Sequence, residues 1–525
     1  RMMPPPIPPP IMGPRPIPRR SWTCDGSSGA LSLKLMESQY PAQAAAAASN
    51  GKVGAMPFLD RLQRWADDRP DETAVVVAGE HLSWSGLRDA AAALVPAAPA
   101  ITVLSEQNST RFAVAFAAAV AGERQCAVLD PAWPQQLQDG ITARIAGTET
   151  GLAHALPGLG TTLVDGPPDT SFLIGLTSGT TSVPKAFTRS RRSWQESFEA
   201  SIEFFGLTQD DKSLAPGPLA ASLNLYALAE CLYAGAEFHS LEHFDVGAAH
   251  AAVSHDGITR LVLVPTMLRL LSERGLAGGV DASGIRSIIC AGSKLDARTL
   301  EAARRWAPNA TIFEYYGASE LSFVSGAGLR PGEPVEPGGT GIGKPFPGVA
   351  IRILDDGGAG LPDGSDGNIC VRSGMVSNGY LWGDDGQALR CFDGWYTVGD
   401  QGYLSGGTLH MLGRRSDMII TAGTNVYPHE VEMALASVPG VAAAVAAGMV
   451  DDLRGQRVVA GVVPSHGAVT ATQLRSGIDD LLARNKRPLE YFVLTELPLT
   501  DRGKISRQLL LDWVARNDPR IRRLG

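Results

Sequence analysis

The sequence predicts an α/β protein with a large amino-terminal domain of parallel, helix-covered sheets, a small barrel-like β subdomain, and a small α+β domain at the carboxyl end. From Thr73 onward, apolar runs alternate with helix-period stretches, a pattern typical of parallel sheets covered by helices. Near Gly338, glycine-rich turns and short strands replace this alternation, which favours an antiparallel or barrel-like unit. A smaller unit of mixed helices and strands follows Gly413.

The elements of the large domain follow from their apolar periodicity. The first predicted helix carries Leu59, Leu62 and Trp65 at helical spacing, and short apolar runs after it read as buried strands. The predicted strands cover residues 74–78, 101–104, 126–129, 172–176, 260–264 and 287–290, and the predicted helices cover residues 87–94 and 112–121 or begin at Thr266 and Asp296.

The remaining elements define the domain boundaries. In the β subdomain, at about residues 338–413, strands are predicted at 349–354 and 368–371. The last unit has a predicted helix near 429–436, strands near 441–449 and 458–463, and a second helix near 472–485. Residues 1–55 are rich in proline and alanine, which predicts a disordered extension. We therefore divide the chain into this extension, a large domain at 56–415 and a small domain at 416–525.

Composition narrows the function class. A chain of 525 residues with 44% hydrophobic content can bury more than one core. Its net charge of -8 does not provide the basic surface that nucleic acid or an anionic membrane needs. No apolar run approaches the roughly 20 residues of a membrane span. The six dispersed cysteines predict mostly buried thiols in a reducing compartment without a structural zinc site. We expect a cytoplasmic protein that acts on a small molecule, without nucleic-acid partners or membrane insertion.

A Ser/Thr-rich loop directly follows the strand predicted at 172–176. Its hydroxyls and backbone N–H groups can surround phosphate oxygens, and Lys185 adds a positive charge. A Walker A loop is disfavoured, because Pro184 and Ala186 stand where its second glycine and final hydroxyl would be. A solvated turn is the alternative reading. The predicted phosphate ligands are Thr177, Ser178, Gly179, Thr180, Thr181 and Lys185.

The order T-S-G-T-T-x-x-P-K resembles the phosphate loop of the adenylate-forming superfamily, which includes acyl- and aryl-CoA synthetases, peptide-synthetase adenylation domains and luciferases. Four later segments resemble that family's motifs in the same order. The resemblance extends from about Thr73 to Arg507 and implies ATP, Mg²⁺ and a carboxyl-terminal domain that rotates. The four segments are Tyr315-Tyr-Gly-Ala-Ser-Glu320, Gly394-Trp-Tyr-Thr-Val-Gly-Asp400, residues 413–432 and residues 497–507.

The first two of these segments imply nucleotide contacts. By resemblance, Tyr316 packs near adenine, Ser319 reaches the α-phosphate, and Asp400 accepts hydrogen bonds from the ribose hydroxyls. Glu320 helps to hold Mg²⁺, a hard cation that prefers oxygen ligands, and Thr177 of the phosphate loop is the second predicted metal ligand. Ser319 and Glu320 are therefore predicted to take part in catalysis.

The last two segments imply contacts that change during the reaction. Arg414 falls on a second ribose-contacting position, Ser416 on the hinge, and Gly423 where the backbone leaves room for the pantetheine arm of CoA. Lys504 is the principal predicted catalytic residue, bridging the substrate carboxylate and the α-phosphate before it withdraws.

Two further segments correspond to the family's acid pocket, at residues 216–224 and 291–294. Ala220 stands where amino-acid-activating domains usually carry an aspartate, which disfavours a free amino acid as substrate. Small apolar residues there suggest an uncharged aliphatic, alicyclic or aromatic acid. The predicted pocket residues are Ala220, Ala221, Ser222, Gly292 and Gly317.

The leading hypothesis is an AMP-forming acid–thiol ligase that makes an acyl-CoA from a carboxylic acid, ATP and CoA. An alternative retains adenylation but delivers the acyl group to the phosphopantetheine of an acyl carrier protein or to an amine. Luciferase-type oxygenation ranks third. A noncatalytic nucleotide-binding protein stays open as a different class, and acid-dependent pyrophosphate release would separate it from an enzyme.

Overall fold

A computed structural model describes residues 58–152, 161–177, 184–334, 341–465, 467–499 and 505–525. The predicted extension at 1–55 lies outside these residues, as do several predicted ligands: Ser178, Gly179, Thr180, Thr181 and Lys504.

The amino-terminal elements alternate between strands and helices, as predicted. They are α1 (Leu59–Asp68), β1 (Thr73–Val77), β2 (Glu80–Ser83), α2 (Trp84–Leu94), β3 (Ile101–Leu104), α3 (Thr110–Ala119), β4 (Gln125–Val128), α4 (Gln135–Leu152), β5 (Ser171–Thr177), β6 (Lys185–Ser190) and α5 (Arg191–Phe205). The alternation continues with β7 (Lys212–Leu214), α6 (Ser222–Ala234), β8 (Glu237–Ser240), α7 (Val246–His255), β9 (Arg260–Leu263), α8 (Pro265–Gly278), β10 (Ser287–Cys290), α9 (Ala297–Trp306), β11 (Thr311–Ala318) and β12 (Ser322–Leu329).

Short strands then replace the helices. They are β13 (Lys344–Pro345), β14 (Ala350–Leu354), β15 (Gly367–Arg372), β16 (Tyr380–Trp382), β17 (Arg390–Phe392), β18 (Trp395–Thr397), β19 (Asp400–Ser405) and β20 (Thr408–Arg414). The carboxyl-terminal elements are β21 (Ile419–Thr421), β22 (Thr424–Val426), α10 (Pro428–Ala436), β23 (Val441–Asp451), β24 (Gly455–Pro464), α11 (Ala471–Gly477), β25 (Glu490–Leu494), α12 (Arg507–Arg516) and β26 (Ile521–Arg523).

Within the described residues, these strands form four sheets. The largest has the order β13-β12-β11-β10-β9-β7-β8-β1-β2, and its strands from β11 to β1 run parallel. A second sheet has the order β16-β6-β5-β4-β3. Antiparallel pairs join β14, β15 and β17–β20 into the β subdomain, and the carboxyl-terminal sheet is mixed. The predicted α/β fold class, with an antiparallel β unit and an α+β carboxyl-terminal unit, is confirmed.

Local sequence explains where many helices begin. A serine, threonine or aspartate side chain accepts a hydrogen bond from the backbone N–H three residues later, which satisfies a free donor of the first turn. The caps are Ser83, Ser109, Ser190, Asp245, Asp296, Thr470 and Ser506.

The helix predicted near residues 472–485 is wrong in length, since α11 ends at Gly477. Glycine is a poor helix former, and a Cβ added at Gly477 would lie 2.7 Å from Cγ2 of Val438. A bulkier side chain is therefore excluded where this turn meets the end of α10.

Among the described residues, most cysteines are buried. Cys126, Cys231, Cys290 and Cys370 are buried, and burial raises the pKa of Cys231 to about 12. Cys391, on the short strand β17, is exposed, so most of the thiols in the described residues are buried, as predicted. In the described part of the chain, no helix combines the length and apolar character that crossing a bilayer requires.

Asp165 gives the fold a pH-dependent stability. Burial raises its pKa to about 7, from an ordinary value of 3.8, and its Oδ2 accepts a hydrogen bond from the backbone N–H of Asp60 at 3.0 Å. A raised pKa means that the folded state binds the proton more tightly. The contribution of this carboxyl to stability is therefore full below pH 3.8 and is lost as the pH rises through about 7.

We expect Asp165→Asn, which keeps an acceptor oxygen, to raise the melting temperature relative to the unmodified protein at pH 8. The gain should be smaller at pH 4, where both side chains are neutral. Thermal unfolding at the two pH values measures the difference, and an equal shift at both would contradict the assignment.

Candidate active site

The predicted catalytic pair Ser319 and Glu320 lies at the tip of the β11–β12 hairpin. Ala318 pairs with Ser322 across this hairpin, so the chain reverses through the intervening residues. The turn requires Gly317, because a Cβ there would lie 2.3 Å from the carbonyl oxygen of Ser322. Ser322 itself adopts a left-handed φ of 64°. The hairpin thus presents a hydroxyl and a carboxylate at adjacent positions.

A tyrosine from a distant segment holds the Glu320 side chain. The Tyr380 hydroxyl donates a hydrogen bond to Oε1 of Glu320 and also interacts with the Thr177 side chain. Burial and the nearby carboxylate raise the pKa of Tyr380, which keeps the hydroxyl protonated as a donor. Glu320 is 8% exposed, so its oxygens face a largely enclosed space. Both predicted metal ligands, Glu320 and Thr177, therefore contact Tyr380.

This donor set fits Mg²⁺. The cation commonly binds one or two carboxylates and completes its shell with substrate phosphates and water. A carboxylate and a threonine hydroxyl supply oxygen donors of that kind. Among the described residues, no cluster of three or more His, Cys, Asp or Glu side chains forms a metal site independent of a substrate.

A second predicted group comes together at the start of β19. Asp400 is 2% exposed and sits opposite Arg414 in the β19–β20 ladder. Nε of Arg414 lies 3.3 Å from Oδ1 of Asp400, and the Tyr316 hydroxyl donates to Oδ2 at 2.5 Å. Within the described residues Oδ1 makes no well-directed hydrogen bond. Oδ1 is therefore a buried acceptor whose neighbouring cation is Arg414.

Burial and ion pairing have opposite effects on the pKa of Asp400. Burial raises the pKa of Asp400, while Arg414 and the Tyr316 hydroxyl oppose that rise. The Asp400 carboxylate in turn raises the pKa of Arg414. The arginine side chain is 58% exposed, so this pair lies at the boundary between the core and solvent, where a nucleotide can reach it.

We expect Asp400→Asn to raise the KM for ATP by about 10-fold to 100-fold, because the ribose loses a charge-assisted acceptor worth about 1.5–3 kcal/mol. Steady-state kinetics at saturating acid measures the change. Asp393→Asn alters an aspartate in the nearby β17–β18 turn and serves as the control. Equal KM values for the unmodified and Asp400→Asn proteins would remove Asp400 from the nucleotide site.

The predicted phosphate loop is described only at its two ends. Thr177 ends β5 and pairs with Lys185, the first residue of β6. These two predicted ligands therefore lie side by side at the base of the loop. Residues 178–183, including Ser178, Gly179, Thr180 and Thr181, lie outside the described residues.

The predicted acid pocket borders the hairpin tip at one point. Ala221 immediately precedes α6 and Ser222 begins it, and Oγ of Ser222 lies 3.3 Å from Oγ of Ser319. Ala220 and Ala221 are half-buried, whereas Ser222 is exposed. Gly292 follows β10 with a φ of +97°. The segment at 216–222 therefore adjoins the predicted catalytic serine.

Residues of the predicted moving parts lie in turns. Ser416 is exposed in the single helical turn Arg415–Asp417, and its hydroxyl donates to Asp417 at 3.1 Å. Gly423 has a φ of +78° in the tight β21–β22 turn, where an added Cβ would meet nothing within 4 Å. The segment that carries Lys504 lies outside the described residues, but Leu499 and Ile505 pair across its ends.

The sequence motifs did not identify three side chains of this site. Tyr380 contacts Glu320 from 60 residues away, and Arg189 donates to the Ser319 carbonyl from 130 residues away. Asn108 accepts from the Leu219 N–H at 2.7 Å and donates to the Gly217 carbonyl at 2.9 Å, which fixes the acid-pocket segment. Thr188 and Ser190 flank Arg189, and Gln107 and Ser109 flank Asn108, so the local sequence contains no signal that either residue is buried.

Two bacterial proteins are similar to this chain in sequence. The chain is 34% identical over 348 residues to the uncharacterized acyl–CoA ligase YhfT of Bacillus subtilis, covering 66% of this chain and 69% of that protein. It is 34% identical over 355 residues to the indoleacetate–CoA ligase of Aromatoleum aromaticum, covering 66% and 68%.

Solved structures agree on the fold. The o-succinylbenzoate CoA synthetase of Bacillus subtilis, in complex with its acyl-adenylate intermediate, superposes with a TM-score of 0.73 at 25% identity, covering 86% of this chain and 97% of that chain. ATP-bound MatB of Rhodopseudomonas palustris gives a TM-score of 0.75 at 24% identity, covering 88% and 99%.

Family models account for most of the chain. The AMP-binding enzyme model matches residues 97–381, and the model of the AMP-binding enzyme carboxyl-terminal domain matches residues 430–504. The first match alone spans more than half of the 525 residues. This chain belongs to the AMP-binding enzyme family, within the adenylate-forming superfamily.

Proposed function

We propose that this protein is an AMP-forming acid–CoA ligase that activates a carboxylic acid with ATP and transfers the acyl group to the thiol of CoA. The observation that carries the proposal is the convergence of two groups of residues at one hairpin. Ser319 and Glu320 occupy its tip with Tyr380, and Tyr316 on its first strand reaches the Asp400–Arg414 pair. The CoA-ligase names of the similar proteins support the same reaction.

In the first half-reaction, a carboxylate oxygen attacks the α-phosphorus of ATP. A new P–O bond forms as the bond to pyrophosphate breaks, leaving an acyl-adenylate. Asp400 and Arg414 would hold the ribose, and Ser319 would donate to the α-phosphate. Lys185 and Lys504 would offset the repulsion between the two anions. Glu320 and Thr177 would hold Mg²⁺, and a bound cation of this kind would supply neutralisation of phosphate charge.

In the second half-reaction, the CoA sulfur attacks the acyl carbon. A C–S bond forms, the C–O bond to AMP breaks, and the thiol proton leaves to solvent. For this step Lys504 must withdraw, and Gly423 would leave room for the pantetheine arm. We assign the boundary of the moving domain to Ser416, with the large domain at 56–415 and the small domain at 416–525. An acyl carrier protein or an amine as acceptor is not favoured, because the similar proteins are named CoA ligases.

We propose that the substrate carries no charge apart from its reacting carboxylate. The basis is the small apolar residues Ala220 and Ala221 beside Ser222. A panel of aliphatic, alicyclic and aromatic carboxylic acids, read by pyrophosphate release with and without Mg²⁺, tests adenylation. Mass spectrometry of the products with CoA then tests the acceptor. Absence of acid-dependent pyrophosphate release across the panel would contradict the proposal, and acyl-AMP without acyl-CoA would contradict its second half.

A further inference from the structure

Arg189 lies on the strand that begins with the phosphate-loop lysine. Side chains alternate along a strand, so Lys185, Phe187 and Arg189 share one face of β6. The Arg189 side chain runs into the core, where the residue is only 3% exposed. Burial lowers its pKa to about 10, partly opposed by the carboxylate of Glu320. Arg189 therefore stays charged at neutral pH.

This guanidinium binds the backbone of the hairpin tip directly. Nη2 and Nε donate to the carbonyl oxygen of Ser319 at 2.7 and 3.2 Å, and Nη1 donates to the carbonyl oxygen of Met375. The planar fork of arginine can bind two acceptors in fixed directions, which a lysine ammonium cannot reproduce. One side chain thus connects β6, the hairpin tip and the segment before β16.

The same segment fixes Glu320 from its other side. The Ser377 N–H donates to the Glu320 carbonyl at 2.7 Å, and the Tyr380 hydroxyl donates to the Glu320 carboxylate. The backbone carbonyls of Ser319 and Glu320, which are consecutive, therefore both accept hydrogen bonds. Among the described residues, Arg189 provides the only buried guanidinium in this group of contacts.

We propose that Arg189 is a positioning residue for adenylation. It orients Ser319 and Glu320 toward ATP and its cation, and it contacts neither the ATP nor the cation. This inference rests on the proposed function. A tip that is free to shift would misplace the Ser319 hydroxyl and the Glu320 carboxylate together. Adenylation depends on both, whereas thioester formation from a preformed acyl-adenylate does not need the cation held at Glu320.

Arg191 offers a matched control. It is also fully buried, burial lowers its pKa to about 10, and it donates to the backbone carbonyls of Val120 and Arg124 at 2.9 Å. These contacts lie away from the hairpin tip. A purely structural role for Arg189 predicts that Arg189→Met and Arg191→Met behave alike.

We expect Arg189→Met to slow acid-dependent pyrophosphate release by about 100-fold, the size of effect that a 1 Å misplacement causes. The Mg²⁺ concentration for half-maximal rate should rise, while thioester formation from supplied acyl-adenylate and CoA stays near the unmodified rate. Arg191→Met should lower the melting temperature without changing the Mg²⁺ requirement. Arg189→Lys should lie between Arg189→Met and the unmodified protein.

Unchanged Mg²⁺ dependence in folded Arg189→Met would overturn the inference. If that variant does not fold, an unchanged Mg²⁺ requirement in Arg189→Lys would overturn it equally. Failure of the unmodified protein to release pyrophosphate with any acid would instead contradict the proposed function, so the two outcomes are distinguishable.

Discussion

Lys504→Ala is expected to slow acyl-adenylate formation by about 10²–10³-fold, the usual cost of removing one preorganised donor that stabilises developing charge. The lysine is predicted to meet both the substrate carboxylate and the α-phosphate, so its loss leaves two anions facing each other. Pyrophosphate release at saturating ATP and acid measures this step. Thioester formation from supplied acyl-adenylate should change little, because the lysine has withdrawn by then.

Arg502→Ala serves as the control for this experiment. It removes a positive charge from the same segment, two residues from Lys504, and should leave adenylation near the unmodified rate. Equal losses in the two variants would indicate a general electrostatic effect of the segment. Full adenylation activity in Lys504→Ala would remove the lysine from the mechanism.

The second large effect is expected at the buried ion pair of Glu230 and Arg260. Both side chains are 2% exposed, and Nη2 of Arg260 lies 2.7 Å from Oε2 of Glu230. Ser213 accepts from Nη1 at 3.1 Å, and Ser201 donates to Oε1. Removing one partner leaves an uncompensated buried charge, so Arg260→Met should cost about 3–5 kcal/mol of unfolding free energy.

Urea unfolding followed by tryptophan fluorescence measures that loss. The double variant Glu230→Leu with Arg260→Met removes both charges and should recover most of the stability, because well-packed apolar replacements of a buried pair are often neutral. A double variant no more stable than Arg260→Met would show that the ion pair itself contributes net stability. An Arg260→Met variant as stable as the unmodified protein would contradict the predicted cost.

Much of the fold could be predicted because its buried strands are short apolar runs. The run at 287–290 became β10 without a change of boundary, and the predicted start at Asp296 became the cap of α9. The error in α11 concerns its length. The helix ends at Gly477, short of the predicted end near 485, and glycine is a poor helix former.

The candidate site was predictable only where residues stand within motifs. Tyr316, Ser319, Glu320, Asp400 and Arg414 were all chosen from the sequence, and the structure places them around one hairpin. Tyr380 and Arg189 were not chosen, because their contacts depend on long-range strand pairing. The functional roles of all these residues stay predictions for the experiments above.

Strand β16 connects the β subdomain to the sheet that contains β6. It follows β15 of the β subdomain in sequence, yet it pairs with β6, so that Tyr380 faces Phe187 across the ladder. A peptide bond cleaved in the exposed turn at Gly348 would leave two fragments that still share this ladder. The ladder therefore links the β subdomain to the sheet of the phosphate loop through hydrogen bonds that do not depend on the covalent connection at that turn.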